Sequence, residues 1–387
     1  MTLSTTPNWF FPEYDRAGVK RDPSEDVLFR QSVTQGEEYA GNDQLGREII
    51  QNSLDAHIGD GPVRVRLSFY PKMPDKDPRY PGNDILTHYF HGLKDAIIAK
   101  NPDIEFDGKG IPKIKAGFFV SEDFNTRGLE GDPTLVEDPS EKSEEKRNDF
   151  YWFWRNIARS GKGGDDIGRW GLGKTVYRAL SQIGCMFGLT VRDSDKGELL
   201  MGQAVLTHHH SDGKACVPEG FWGIRGDDGI TLPVKDPRDI EEFKKHWHIH
   251  RKTGESGLSV VVPYMASELN AEHLAQAVAI NFFVRILRGE LEVEIRRYDG
   301  VKDEPDFICD LKKETIKTEC QKFKWGGTVR TKRKVPLPID FAQECFQYPK
   351  NNVVETWALE LKPTLDKKSF GFFRYSGGEL RSTYMAG

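Results

Sequence analysis

At 387 residues, with 37% hydrophobic and 30% charged side chains, the chain has the length of two packed domains and the polarity of a globular protein. Its formal charge of -5 gives no overall attraction to nucleic acid, so any such contact would need a local basic patch. The opening MTLSTTPNWFFPEYDR lacks the order of a signal peptide, no apolar run reaches membrane-spanning length, and five scattered cysteines (Cys185, Cys216, Cys309, Cys320, Cys345) form no C-x-x-C pair; this argues for a cytoplasmic protein with reduced thiols, and against a membrane, disulfide or zinc framework.

From Asn42 to Ala56, capping-type Asn and Asp precede Leu45, Ile49 and Ala56 on one stripe, which predicts an amphipathic helix. Val63, Val65, Leu67 and Phe69 then alternate as in a strand with one buried face, so helix and sheet are expected side by side. After a long irregular stretch, Ala116 to Val120 predicts a short strand ending in the acidic pair Glu122 and Asp123. The charge-rich run 137–147 reads as a solvated loop flanking a lid. Phe150, Tyr151, Trp152, Phe153 and Trp154 read as core, with a dimer contact as the alternative. A glycine-rich polar loop follows, then a helix carrying Val176, Leu180 and Ile183. Strands are predicted at MFGLTVR, GQAVLTHH and GLSVVVPY, the last two separated by a region holding Pro218, Pro233 and Pro237. The segment NAEHLAQAVAINFFVRILRG predicts a helix ended by Gly289, with the strand LEVEIRR after it, and a second domain is expected to begin here.

Two stretches carry the chemistry. On the first helix Glu48, Asn52 and Asp55 stand at i, i+4 and i+7, so three oxygen-bearing side chains share one face. Hard oxygen donors at that spacing suit Mg²⁺, which keeps waters and substrate phosphates as its other ligands. Gly168 to Thr175, GRWGLGKT, satisfies the G-x-x-x-x-G-K-[ST] pattern of a P-loop, but the preceding SGKGGDDI is too polar to be the buried strand a P-loop follows. What remains is an anion-binding helix entry: glycines admit phosphate close to the backbone, helix-start amides point outward, and Lys174 adds a point charge.

Residues 48–56, EIIQNSLDA, resemble the E-x-x-x-N-S-x-D-A box of the GHKL ATPases (gyrase, heat-shock chaperone, histidine kinase, MutL), most closely as spelled in MutL and MORC proteins. The likeness covers roughly positions 28 to 265. EDFNTRGLEGD, RSGKGGDD and GRWGLGK together look like a bacterial branch of Hsp-like or MORC-like ATPases often associated with defence and mobile-element loci. The resemblance implies that Glu48 activates water, Asn52 ligates Mg²⁺, Asp55 supports the base region and Asp123 accepts the adenine amino proton. Gly128 and Gly131 would shape the turn beside the base. Gly168, Gly171, Leu172, Gly173, Lys174 and Thr175 would hold the phosphates under a lid drawn from Arg159 to Asp166, and Ser259 would match a late hydroxyl near the base. The family's D-x-G-x-G box stands here as DFNTRGLEG, with Phe124, Asn125 and Thr126 displacing the first glycine.

The resulting expectation is an α+β fold: a Bergerat-type ATP-binding sandwich over residues 1–268, a mixed sheet with helices on one face, followed by a transducer-like α/β domain over 269–387 that continues past Gly387. ATP and Mg²⁺ are the implied ligands, with slow hydrolysis driving lid closure, an ATP-dependent homodimer, and partner proteins of a defence or DNA-processing complex. A non-hydrolysing ATP-bound nucleic-acid clamp is the alternative. A histidine-kinase-type transferase ranks below it, since it should lack a base at Glu48. His208, His209, His210, His246, His248 and His250 lack carboxylate or cysteine companions at ligand spacing and read as surface rather than a metal site. Asp310 to Val335 holds nine Lys or Arg against three acids; it reads as a solvated sheet face, with a nucleic-acid contact over Lys312–Lys334 as the other reading.

Overall fold

The computed structural model describes residues 6–14, 40–74, 84–136, 148–155, 175–298 and 304–323, together with the backbone of three strands between 358 and 386. In chain order the elements are β1 (Asn8–Phe10), α1 (Ala40–Asp55), β2 (Val63–Tyr70), α2 (Ile85–Phe90), α3 (Lys94–Lys100), β3 (Phe118–Phe124), α4 (Asp149–Trp154), α5 (Thr175–Ala179), β4 (Cys185–Val191), β5 (Glu198–Val205), the hairpin β6 (His209–Ser211) and β7 (Lys214–Cys216), β8 (Glu219–Arg225), β9 (Thr231–Leu232), α6 (Pro237–His246), β10 (Gly257–Pro263), α7 (Ala271–Leu287), β11 (Leu291–Tyr298), β12 (Pro305–Leu311) and α8 (Ile316–Lys322). Strands β13 (Ala358–Leu359), β14 (Ser369–Ser376) and β15 (Glu379–Ala386) form a separate three-stranded sheet. Among the described residues no helix is long and apolar enough to cross a membrane.

The architecture is α+β around one mixed ten-stranded sheet, ordered β1-β8-β5-β4-β10-β3-β2-β11-β12 with β9 beside β8. Neighbours are antiparallel except β2 and β11, which pair in parallel from Val63↔Leu291 to Phe69↔Arg297. Side chains alternate between faces along each strand, so the sheet divides two cores. On one face Val65, Leu67, Phe119, Met186, Met201, Val260 and Val262 pack under α1, α4, α5, α7 and α8. On the other, Phe118, Val120, Phe187, Leu189, Leu200 and Val261 pack against α2, α3 and α6. Helices therefore cover both faces, where the sequence reading expected one.

That difference has a local cause. Helix α6 starts at Asp236, whose carboxylate accepts from Arg238 N at 2.9 Å, with Pro237 in the first turn. Proline there costs nothing, because the first helical amides have no partner within the helix. The proline-bearing region between the two strands thus includes a helix start, and Ile240, Phe243 and Trp247 close the second core. Helices α2 and α3 lie in the stretch read as irregular; at six and seven residues they are too short to show a period by themselves.

Helix α7 is as predicted: Asn270 accepts from His273 N at 3.0 Å at its start, and Gly289 ends it at φ +72°. It packs along α1, where Gly46 lets the helices approach beside Leu274 and Val278. The buried Asn42 ties their starts together, donating to Glu268 O at 2.9 Å and accepting from Asn270 N at 3.0 Å. Each fully buried Leu, Val or Phe along this contact contributes roughly 1.5–3 kcal/mol. Helix α7, β11, β12 and α8 share the sheet and the core of the residues before them.

Candidate active site

Helix α1 carries the polar box on the edge of its buried stripe. Leu45, Ile49 and Ile50 are fully buried, Glu48 is half-buried, and Asn52 and Asp55 are exposed. Burial pushes the Glu48 carboxyl above its usual range, with Arg47 pulling part of the way back. A carboxylate so raised is a stronger proton acceptor than a solvated one. The Asp55 side chain accepts from Gln51 Nε2 at 2.8 Å, while its backbone carbonyl accepts from Arg127 Nη1 at 2.9 Å.

The fourth polar residue of the box points inward. Ser53 is buried and its hydroxyl lies 2.9 Å from Ile49 O and 3.2 Å from Asp123 Oδ2. Asp123 stands near the end of β3, which runs on through the acidic pair to Phe124 because both carboxylates are satisfied inside the protein. Asp123 Oδ1 accepts from Thr126 Oγ1 at 2.6 Å and from Leu258 N at 2.7 Å. An ionised carboxylate has room for about four donors, so three from the protein leave capacity for one more at the partly open edge.

The loop after β3 then staples the end of α1. Arg127 N donates to Ala56 O at 2.9 Å, Arg127 Nε meets Asp149 Oδ2 at 2.8 Å, and Ile58 N donates to Asn125 O at 3.1 Å. Gly128 sits at φ +70°, and a Cβ there would lie 2.4 Å from Val191 O, so only glycine fits. Its neighbour Leu129 donates its amide to Thr190 Oγ1 at 2.7 Å. Gly131 follows in the same loop, its carbonyl accepting from Arg192 Nη1 at 3.0 Å.

Gly168, Gly171, Leu172, Gly173 and Lys174, with the segment 159–166, lie outside the described residues. The helix they enter is described. Thr175 opens α5 and is buried, and α5 packs against α1, β4, β5 and β10. Tyr177 on this helix is buried beside Ser121. Its phenol is held well above the usual range, first by burial and then by the negative charges of Asp123 and Glu48. Ser53 Oγ at 3.2 Å from Asp123 Oδ2, and the packing of α5 on α1, bring the helix of the polar box, the end of β3 and α5 together at one locus. The helix is shorter than predicted: it ends at Ala179, after which Ser181 bonds Pro263 O at 2.7 Å and Ile183 joins the opposite core.

Ser259 does not join this locus. It shares the face of Val261 and Glu122, opposite to that of Asp123; its hydroxyl accepts from Arg251 Nε at 2.9 Å and lies 3.3 Å from Glu122 Oε1. The reason is the strand period, since one residue along β10 reverses the face. On the face of Asp123, the hydroxyl opposite Leu258 is that of Thr190, which sequence reasoning missed. Also missed was the buried set behind Asp123, in which Glu122 accepts from the amides of His250 and Arg251 at 3.0 Å each. Burial opposes the charge on Glu122, but hydrogen bonding from His250 and the charge on Arg251 outweigh it and hold the carboxyl below its usual range.

Other candidates fall elsewhere. Phe150, Tyr151 and Trp154 are buried, with Trp154 lying against Gly188 of β4. His209 packs edge-on to Phe11, His248 stacks on Tyr70, and among the described residues no cluster of His, Cys, Asp and Glu could hold a metal. A cavity of about 460 Å³ lies between β1 and α2, lined by Asn8, Asp84, Thr87, His88 and His91, none of which belongs to this locus.

No family model matches the chain, and a comparison with curated proteins also gives no match. Among solved structures, it is similar to the ATP-binding domain of topoisomerase IV of Francisella tularensis in complex with a small-molecule inhibitor, at TM-score 0.33 and 11% identity over 85% of this chain. It is similar also to the ATPase and transducer domains of DNA topoisomerase II from Balamuthia mandrillaris, at TM-score 0.28 and 12% identity over 75% of this chain. The chain spans 57% and 54% of those two chains. At such scores the likenesses carry no weight for chemistry; the side chains do.

Proposed function

We propose that this chain binds ATP with Mg²⁺ at the locus between α1, the end of β3 and the start of α5, and hydrolyses it slowly to drive a conformational switch. One observation carries the reading: Ser53, inside the box that presents Glu48 and Asn52, reaches Asp123 Oδ2 at 3.2 Å, so two motifs 70 residues apart share one site. Asp123 has acceptor capacity for the amino group of adenine at one end. Asn52, exposed on the same helix face as Glu48, offers an amide oxygen of the kind Mg²⁺ takes at the other. When bound, the metal would neutralise charge on the phosphate oxygens.

Glu48 takes a proton from the attacking water, a role its raised proton affinity suits. Gly168, Gly171, Leu172, Gly173, Lys174 and Thr175 would lie along the phosphates, with Thr175 buried at the head of α5. The motif order and spelling support a GHKL ATPase of MutL or MORC type. ATP-dependent pairing of two copies, and service in a defence or DNA-processing complex, rest on that resemblance. We place the end of the nucleotide-binding unit after α8 rather than at residue 268, because the sheet and core run continuously to that helix. A nucleic-acid contact over Lys312–Lys334 has less support: Lys312 stands 3.8 Å from both Glu292 and Glu294, and Lys322 is 2.7 Å from Glu319.

The deciding experiment measures phosphate release and ATP affinity for wild type and Glu48→Gln. Release by the wild type, abolished in the variant with binding retained, supports hydrolysis at this site. ATP binding without release would favour the clamp, and no ATP binding would remove the reading.

A further inference from the structure

Behind Asp123, on the opposite face of the sheet, a buried guanidinium spans four acceptors. Arg251 is fully enclosed; its Nε donates to Ser259 Oγ at 2.9 Å, its Nη1 to Glu255 O at 3.0 Å and Ser256 O at 2.9 Å, and its Nη2 to the backbone carbonyl of Asp123. Glu122 anchors the arrangement, accepting from Arg251 N at 3.0 Å and lying 3.3 Å from Ser259 Oγ. The turn so closed ends at Gly257, φ +135°, where a Cβ would lie 2.3 Å from Asp123 O and 2.7 Å from Arg251 Nη1. The next amide, Leu258 N, is the one that donates to Asp123 Oδ1 at 2.7 Å. Arg251 thus reaches Asp123 in three ways: through its carbonyl, through the turn that delivers Leu258 N, and directly, with Nη2 standing 3.9 Å from Asp123 Oδ1.

We propose that Arg251, braced by Glu122, is a positioning residue for base recognition: it fixes the pose of the Asp123 carboxylate from the far side of the sheet, and so sets the preference for a purine carrying an exocyclic amine. This rests on the reading of Asp123 as the base acceptor. A lysine cannot replace the arginine, since three donors on one nitrogen do not span acceptors arranged around a planar fork. With the fork gone, the turn loosens, Leu258 N no longer holds Oδ1 in place, and the carboxylate loses its fixed direction. The phosphate end, built on α1 and α5, makes no contact with Arg251 among the hydrogen bonds described.

The test compares affinities of wild type, Arg251→Lys and Glu122→Gln for Mg·ATP and Mg·ITP, which differ at the group Asp123 would read. Wild type should prefer ATP on the order of ten- to a hundredfold, the effect of one hydrogen bond to a charged acceptor. Arg251→Lys should bring that ratio to about two while leaving ITP affinity within about twofold, and Glu122→Gln should lower it by roughly threefold. A purely structural role would weaken both nucleotides together and leave the ratio standing, which would overturn the proposal. Should Arg251→Lys fail to fold, Glu122→Gln separates the same two outcomes. Wild type that binds both nucleotides equally, or neither, sinks the reading of Asp123 itself, a different result from a ratio that survives substitution.

Discussion

The two halves of the site are built by opposite rules. Along α1 the working groups stand at the water's edge, Asn52 exposed and Glu48 half-buried. At the end of β3 the carboxylates of Glu122 and Asp123 are enclosed, and Asp123 alone takes donors from α1, its own loop and β10. A group that must change partners during turnover is served by the first arrangement; a group that must read one edge of a rigid ring is served by the second. The division predicts that substitution of Glu48 acts on rate and substitution of Asp123 on affinity.

The largest expected effect tests the rate half. Glu48→Gln should reduce phosphate release by on the order of 10²- to 10⁴-fold with ATP affinity kept within a few fold. Because burial raises the proton affinity of Glu48, the acid limb of the wild-type pH–rate profile should lie above the ordinary glutamate value of about 4.3. The sign follows from the role: a base works ionised, so activity falls as pH drops through the raised value. A variant that loses binding along with rate would erase the division between the two halves.

How much of this was legible depended on whether a residue's role is local. Glu48, Asn52 and Asp55 share a helix face by spacing alone, and a helix preserves spacing. The strands β2 and β11 followed from alternation, and strands were predicted at β4 and β10 as well. The face of Ser259 was not legible, because a hydroxyl in a strand gains its partner from the register with β3 and β4, which no local pattern carries. Arg251 escaped for a related cause: its acceptors are Ser259, Glu255, Ser256 and Asp123, three of them within eight residues, yet nothing in that stretch announces that the chain turns back on the arginine. The helices of the second face were hidden by length in α2 and α3, and in α6 by prolines that mark a beginning.

The affinity half is tested by Asp123→Asn. The amide keeps the shape but offers one acceptor oxygen in place of two, so Leu258 N, Thr126 and Ser53 cannot all be served together with an incoming amine. ATP affinity should fall by roughly ten- to a hundredfold, the effect of losing one charge-assisted hydrogen bond, while the rate at saturating ATP changes by less than about threefold if the division between the ends holds. Nucleotide titration with a saturation curve reads both, and an equal fall in saturated rate would place Asp123 in the chemistry instead.

Gly128→Ala addresses the loop that joins the halves. At φ +70° an alanine pays strain of about 1–3 kcal/mol. Its Cβ would also press on Val191 O, displacing Leu129 N from Thr190 Oγ1. A melting temperature lowered by several degrees is expected, with the ATP affinity of the folded fraction weakened less than in Asp123→Asn. An unchanged melting temperature would mean that the loop relaxes freely and cannot be the brace between α1 and β3.

The smallest effect is the most diagnostic of where α1 stops contributing. Asp55 shares the helix face with Glu48 and Asn52, but its side chain is exposed and bonded to Gln51, and the contact it makes with the base-end loop is through its backbone carbonyl, which accepts from Arg127 at 2.9 Å. Asp55→Ala removes the carboxylate and keeps that carbonyl. Exposed polar contacts of this kind contribute no more than about 0.5 kcal/mol, so ATP affinity, saturated rate and ATP-over-ITP preference should each stay within about twofold of wild type. A tenfold loss of affinity would instead bring the Asp55 carboxylate into the site beside Asp123, and the boundary between wet helix and dry strand end would then run one helical turn further along α1.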